Sequence, residues 1–305
     1  MAHYEKVLAD LEQSLEFCRS LGLDRLARRG RFAEHRKRIA ELISLIQQGP
    51  LPELPPHVVE RLQEGEISFA TALVEALEFS EALQELRHLD PDRLRKKLEV
   101  ILTGPPLPIT ENASSTNAPR NTLFELYLAS RLAAGGLPVE LGEHPDLTCR
   151  IGEIEVLIEC KRPYSPAGVE GAIKEASHQL TRELESRQRA SFGVIAISVS
   201  KVLNPGDLLF TYTEETRAVE ALSRTMQEIT KQKSVDRALQ EVAKQAKIVG
   251  ALFHVNTVAL DRTAERFNHA IQINAHIFDL GRQAFLRLGE TIARGAKYVG
   301  ATGSS

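Results

Sequence analysis

Apolar residues recur at helical spacing through the first hundred positions. Leu8, Leu11, Leu15 and Cys18 share one such face, and Ile39, Leu42, Ile43 and Ile46 another. Gly49-Pro50-Leu51-Pro52 and Pro55-Pro56 interrupt the pattern, which resumes over Pro56–Gln63, Ser68–Leu77 and Pro91–Leu102. Asp90-Pro91 supplies a cap and a first-turn proline for the last of these. Turn formers then dominate from Gly104 to Pro119. Beyond them the period changes. Asn121 opens a helix to Ala134, ended by Gly135-Gly136. Strands are expected at Pro138–Leu141, Leu147–Ile151 and Ile154–Lys161, with Gly152-Glu153 as the turn between the last two. A helix over Val169–Arg189 precedes a buried strand over Ser191–Val202. Helices at 214–247, strands at Ile248–Val258 and His269–Asn274, a helix at Phe278–Arg294 and a frayed tail at 301–305 complete the reading. The order predicts an all-helical region (1–110), a linker (111–120) and an α/β domain (121–300) with a mixed central sheet flanked by helices.

Composition narrows the class. The 305 residues are 43% apolar and 26% charged, with a net charge of −3. Affinity for a polyanion must therefore come from local patches. The chain has no apolar run that spans a bilayer and does not open like a signal peptide, so a cytoplasmic location without a membrane partner is expected. Cys18, Cys149 and Cys160 are irregularly spaced, which argues against both a disulfide framework and a structural zinc site.

Candidate chemistry concentrates between residues 146 and 161. Alternation along Ile154–Lys161 puts Ile154, Val156, Ile158 and Cys160 on an apolar face and Glu155, Leu157, Glu159 and Lys161 on the other. Glu159 and Lys161 then project from one side, about 7 Å apart. The hairpin brings Asp146 alongside. Two adjacent carboxylates repel unless they share a proton or a cation, and hard oxygen donors favour Mg²⁺ or Mn²⁺. Such an ion polarises a phosphoryl oxygen and lowers the pKa of water, and Lys161 adds a positive charge beside it.

Pro145-Asp146…Glu159-Cys160-Lys161 resembles the PD-(D/E)xK signature of restriction-endonuclease-like nucleases, with Glu125 on the preceding helix where members carry a glutamate. The resemblance covers Asn121–Val202. It implies Mg²⁺-dependent hydrolysis of DNA, with Mn²⁺ as a substitute ion. By resemblance, Asp146, Glu159 and the backbone carbonyl of Cys160 are metal ligands and Lys161 is the catalytic lysine. Glu125 holds a second ion or supports the first from outside its ligands. Members also lose catalysis while keeping the fold, so an inactive nucleic-acid-binding or scaffold protein is the alternative. A homo-oligomer stays open.

Other residues carry weaker signals. Gln179 matches a glutamine that some of these nucleases aim at the site, and a polar surface residue is the plain alternative. Arg162 and Tyr164 leave the motif strand at the site mouth, where an arginine and an aromatic suit nucleic acid. The run Arg25–Arg38, including Arg28 and Arg29, offers phosphate contacts. Arg93, Arg95, Lys96 and Lys97 read as a solvated helix face.

Overall fold

The computed structural model describes residues 2–48, 56–111, 117–187, 190–206, 208–245, 247–264, 266–278 and 282–294. The proline-rich break at 49–55, the loop at 112–116 and the tail at 301–305 lie outside them. Five helices come first: α1 (Ala2–Ser20), α2 (Asp24–Arg29), α3 (Arg31–Gln47), α4 (Pro56–Leu86) and α5 (Pro91–Ile101). The two helical patterns expected between Pro56 and Leu77 are one continuous helix, α4. Phe69, Leu73, Ala76, Phe79, Leu83 and Leu86 are all buried along it, and this burial outweighs the helix cost of Gly65. Asp90 caps α5 as expected, its carboxylate accepting from the backbone N–H groups of Asp92 (2.9 Å) and Arg93 (3.2 Å).

After a single 3₁₀ turn at Pro108–Thr110 come α6 (Ala118–Ala134), β1 (Val139–Leu141), β2 (Leu147–Ile151), β3 (Ile154–Lys161), α7 (Gly168–Ser186), β4 (Ser191–Ser198), α8 (Ser200–Leu203) and β5 (Phe210–Tyr212). Then follow α9 (Glu215–Thr230), α10 (Lys233–Ala243), β6 (Ile248–Asp261), β7 (Arg266–Ile277) and α11 (Arg282–Arg294). The strands form one seven-stranded mixed sheet in the order β1-β2-β3-β4-β6-β5, with β7 also on β6. β1, β2 and β3 are antiparallel; β3, β4, β6 and β5 run parallel. β6 explains why β7 exceeds the expected strand at 269–274: β7 pairs with it from Gly250 to Asp261.

The β2–β3 hairpin turns on Gly152, whose φ of 61° favours glycine. Its register, Leu147↔Ile158 to Ile151↔Ile154, fixes which side chains share a face. Both faces of the sheet are covered. Val156, Ile158 and Cys160 pack into a core shared with α1, α3–α6 and α11. Leu157 packs with Ile173 and Leu180 of α7 and Leu239 of α10. The first core runs without a break from the N-terminal helices into the sheet. Residues 111–120 therefore do not separate two cores: Glu111 and Arg120 are buried, and α6 already begins at Ala118. Among the described residues no helix is long and apolar enough to cross a membrane.

Candidate active site

Asp146 enters β2 from a tight loop in which the Gly142 N–H donates to the Asp146 carbonyl (2.9 Å). Its carboxylate Oδ2 accepts from the backbone N–H of Cys160 (2.8 Å), which ties the aspartate to the end of β3. A Cβ at Gly142 would lie 2.2 Å from the Pro145 carbonyl oxygen, so only glycine closes this loop. Gly142→Ala is expected to displace Asp146, lowering stability by about 1–3 kcal/mol and weakening divalent-ion binding. Denaturant titration and Mn²⁺ calorimetry check this; an unchanged Mn²⁺ affinity would contradict it.

Glu159 and Lys161 project together from the face covered by α7. Lys161 Nζ donates to Glu159 Oε1 at 3.1 Å and also meets Glu175 of α7 at 3.2 Å. His144, largely exposed, brings Nδ1 to 3.6 Å from Glu159 Oε1. Glu159 itself is 0% exposed, and its Oε2 is buried without a hydrogen-bond partner. Such an atom is costly unless something pairs with it.

Glu125 approaches from α6. Its Oε2 accepts from Lys97 Nζ of α5 at 2.5 Å. All three carboxylates titrate above their ordinary range. Burial is the largest cause in each, and the charge of Asp146 is the next contributor for both Glu125, which is pushed up to about 7, and Glu159. Asp146 thus couples the other two acids. Lys97 and Lys161 are held above the usual lysine value, burial being outweighed by Glu125 in the first case and Glu159 in the second. The site is a buried cluster of repelling carboxylates, partly neutralised by two lysines.

Lys97 was expected on a solvated face, and the structure corrects this. Leu94, Leu98 and Ile101 of α5 are buried, and position 97 falls on the same helical face. That phase was the available signal.

The remaining candidates divide. Gln179 lies one turn beyond Glu175 on α7, with its Oε1 buried and unpartnered. Arg162 turns to the opposite side of β3 from Lys161. Its side chain is only 8% exposed and its guanidinium pairs with Glu111 at 3.2 Å, so the expected nucleic-acid contact is replaced by a buried ion pair. Tyr164 is 38% exposed, but its hydroxyl donates to the Glu111 carbonyl (2.8 Å) and Lys201 Nζ sits 5.0 Å from its ring centre. That cation covers a ring face that base stacking would use. Arg28 and Arg29 are exposed on α2, where Arg28 pairs with Asp24 (2.9 Å). Neither joins the cluster. In the same basic run, Arg36, Lys37 and Arg38 meet Glu12, Glu34 and Glu41, and Arg31 is buried.

The donor set bears on a metal ion in two ways. Hard carboxylate oxygens, one of them orphaned and all raised by burial, with the Asp146 charge adding to it at Glu125 and Glu159, create a demand for a cation. Among the described residues, however, no group of three or more His, Cys, Asp and Glu side chains is placed to hold one ion. With Glu125 engaged by Lys97, Asp146 and Glu159 are the two carboxylates that fit. No protein family, curated protein or solved structure matches this chain.

Proposed function

We propose that this chain is a metal-dependent nuclease with a restriction-endonuclease-like core, hydrolysing phosphodiester bonds in DNA. The observation that carries the reading is the meeting of Asp146, Glu159 and Lys161 at the ends of β2 and β3, with Glu159 Oε2 buried and unsatisfied. The run α6, β1–β2–β3, α7, β4 supports it, since it presents the motif strands between two helices as that core does.

Asp146 and Glu159 would hold Mg²⁺ or Mn²⁺, with the Cys160 backbone carbonyl as a further oxygen donor. When bound, the ion supplies Lewis acidity and a more acidic water. Asp146 is pre-positioned by the Cys160 N–H, so its free oxygen needs no rearrangement to serve. Lys161 is cationic and partly exposed, which lets its ammonium balance charge gathering on a phosphoryl oxygen. Glu175, largely exposed, competes for Lys161 and holds it at the site mouth. Gln179, on the same face of α7, offers a carbonyl oxygen to an attacking water.

The absence of a three-residue metal group among the described residues favours a second reading, a nucleic-acid-binding protein on this fold that does not cut. Plasmid nicking separates the two. In Mg²⁺ or Mn²⁺ the wild type is expected to relax supercoiled DNA, and Lys161→Ala to do so about 100-fold more slowly or worse. Equal cleavage by wild type, Asp146→Ala and Lys161→Ala would remove the nuclease assignment. Salt-dependent binding without cleavage would select the second reading.

A further inference from the structure

On the side of β3 away from Lys161, a cavity of about 100 Å³ lies between α4, the turn at Pro108 and the carboxyl ends of β3 and β4. Arg120, Arg162, Lys201, Ser198 and Ser200 line it. Its wall is backed by a buried ion network, of which Glu75, Arg120, Arg162 and Lys201 reach the cavity itself. Glu111 receives Arg120 (2.9 Å), Arg162 (3.2 Å) and Lys201 (3.7 Å), and Glu75 receives Arg120, Arg31 (3.5 Å) and His35 (2.9 Å).

The charges do not balance. Among the described residues, Arg31, Arg120, Arg162 and Lys201 face two paired carboxylates, Glu75 and Glu111. Burial holds His35 below its usual value, hence neutral. Glu78, also on the cavity wall, is pushed up to about 8 by burial and is protonated near neutral pH. Even with Glu78 ionised, an excess positive charge would remain. Arg31, which lies behind the cavity wall, has only its 3.5 Å ion pair with Glu75 and no hydrogen bond on any guanidinium nitrogen, although its side chain is 0% exposed. Burial also lowers Arg162 and Lys201. Each lining cation has a partner, but the cluster as a whole keeps an excess of buried positive charge, which is costly and which an anion in the cavity would offset.

We infer that this cavity binds a phosphate-class oxyanion, held by the Arg162 guanidinium and the hydroxyls of Ser198 and Ser200, while the Lys201 ammonium, which already donates to the Pro108 and Pro205 carbonyls, adds its charge beside it. A planar guanidinium matches two oxygens of a tetrahedral anion, and hydroxyls complete its shell. The volume exceeds several-fold the roughly 10–15 Å³ that one water needs, so it admits a phosphate group. The anion is either free phosphate or the terminal phosphate of a nucleotide. The inference does not rest on the nuclease reading, because Arg162 and Lys201 face away from the carboxylate cluster.

The test is calorimetry and thermal unfolding of the full chain in EDTA, with inorganic phosphate, a nucleoside monophosphate, or chloride at matched ionic strength. One anion per chain is expected to bind, with a rise in Tm of about 2 °C at tenfold excess over Kd. Arg162→Gln and Lys201→Met are expected to abolish this increment. If those two variants fail to fold, Ser198→Val, which fills cavity space and removes no charge, must weaken binding at least tenfold. A larger effect of the monophosphate identifies the nucleotide source, and equal effects identify free phosphate. No stabilisation of the wild type over chloride, or an unchanged increment in every folded variant, would overturn the site.

Discussion

Glu159→Gln is expected to abolish metal-dependent cleavage, by about 1,000-fold or more, while raising the stability of the metal-free protein. The two effects share one cause. Glu159 is fully buried beside Asp146, and its own burial is the largest factor pushing its carboxyl up, followed by the Asp146 charge. Gln keeps an acceptor for Lys161 but removes the repelling charge and the charge a divalent ion needs. The pH dependence has a definite sign. A carboxyl raised in the folded state binds protons that the unfolded chain has already released, so its cost appears as pH rises above about 4.5. For Glu125, pushed up to about 7, that window runs from about 4.5 to 7. Removing the Glu159 charge also relieves Glu125, so the variant's Tm should fall less than the wild type's between pH 5 and 7. Mg²⁺ should stabilise the wild type and leave the variant unmoved. A variant less stable than the wild type at pH 7 in EDTA would show that Glu159 is held by favourable contacts and not by a missing cation.

The hairpin and its neighbours were legible because two local rules agreed there. Ile151-Gly152-Glu153-Ile154 gave a turn between alternating runs, and β2 and β3 fall at the expected residues. The alternation also put Glu159 and Lys161 on one face. Both faces of β3 prove to be covered, since Leu157 needs α7 as much as Ile158 needs α6. What stayed hidden depended on distant partners. Arg162 follows Lys161 in sequence, yet its fate is set by Glu111, and Lys97 by Glu125. The short elements α2 and β5 carry too few residues for a period to appear. The basic run 25–38 looked like a phosphate-binding surface because its carboxylates at 12 and 41 lie on other turns and another helix.

Glu75→Gln is expected to destabilise the fold by about 3–5 kcal/mol, the largest effect of any single polar substitution considered for this chain. Glu75, on α4, joins Arg31 and His35 of α3 to Arg120 of α6, and Arg120 continues to Glu111 and to the Pro106 carbonyl (3.0 Å). The network therefore pins the N-terminal helices to the helix that carries Glu125. Although burial opposes ionisation, the surrounding cations Arg120 and Arg31 hold the Glu75 carboxyl well below its usual value. A depressed carboxyl contributes stability that is present above about pH 4.5 and is lost as pH falls toward the folded-state value. Gln removes that contribution and leaves Arg31 and Arg120 facing each other without their shared anion. Urea unfolding at pH 7 should show the loss, and at pH 3 the difference between wild type and variant should be smaller, because the unfolded carboxyl is by then largely protonated. Pairing the substitution with Arg31→Met should recover part of the loss, because the double variant removes one of the stranded cations along with the carboxylate. If Glu75→Gln costs less than about 1 kcal/mol, the helices are held to the sheet by their apolar core alone and the buried ions are not what orients α6.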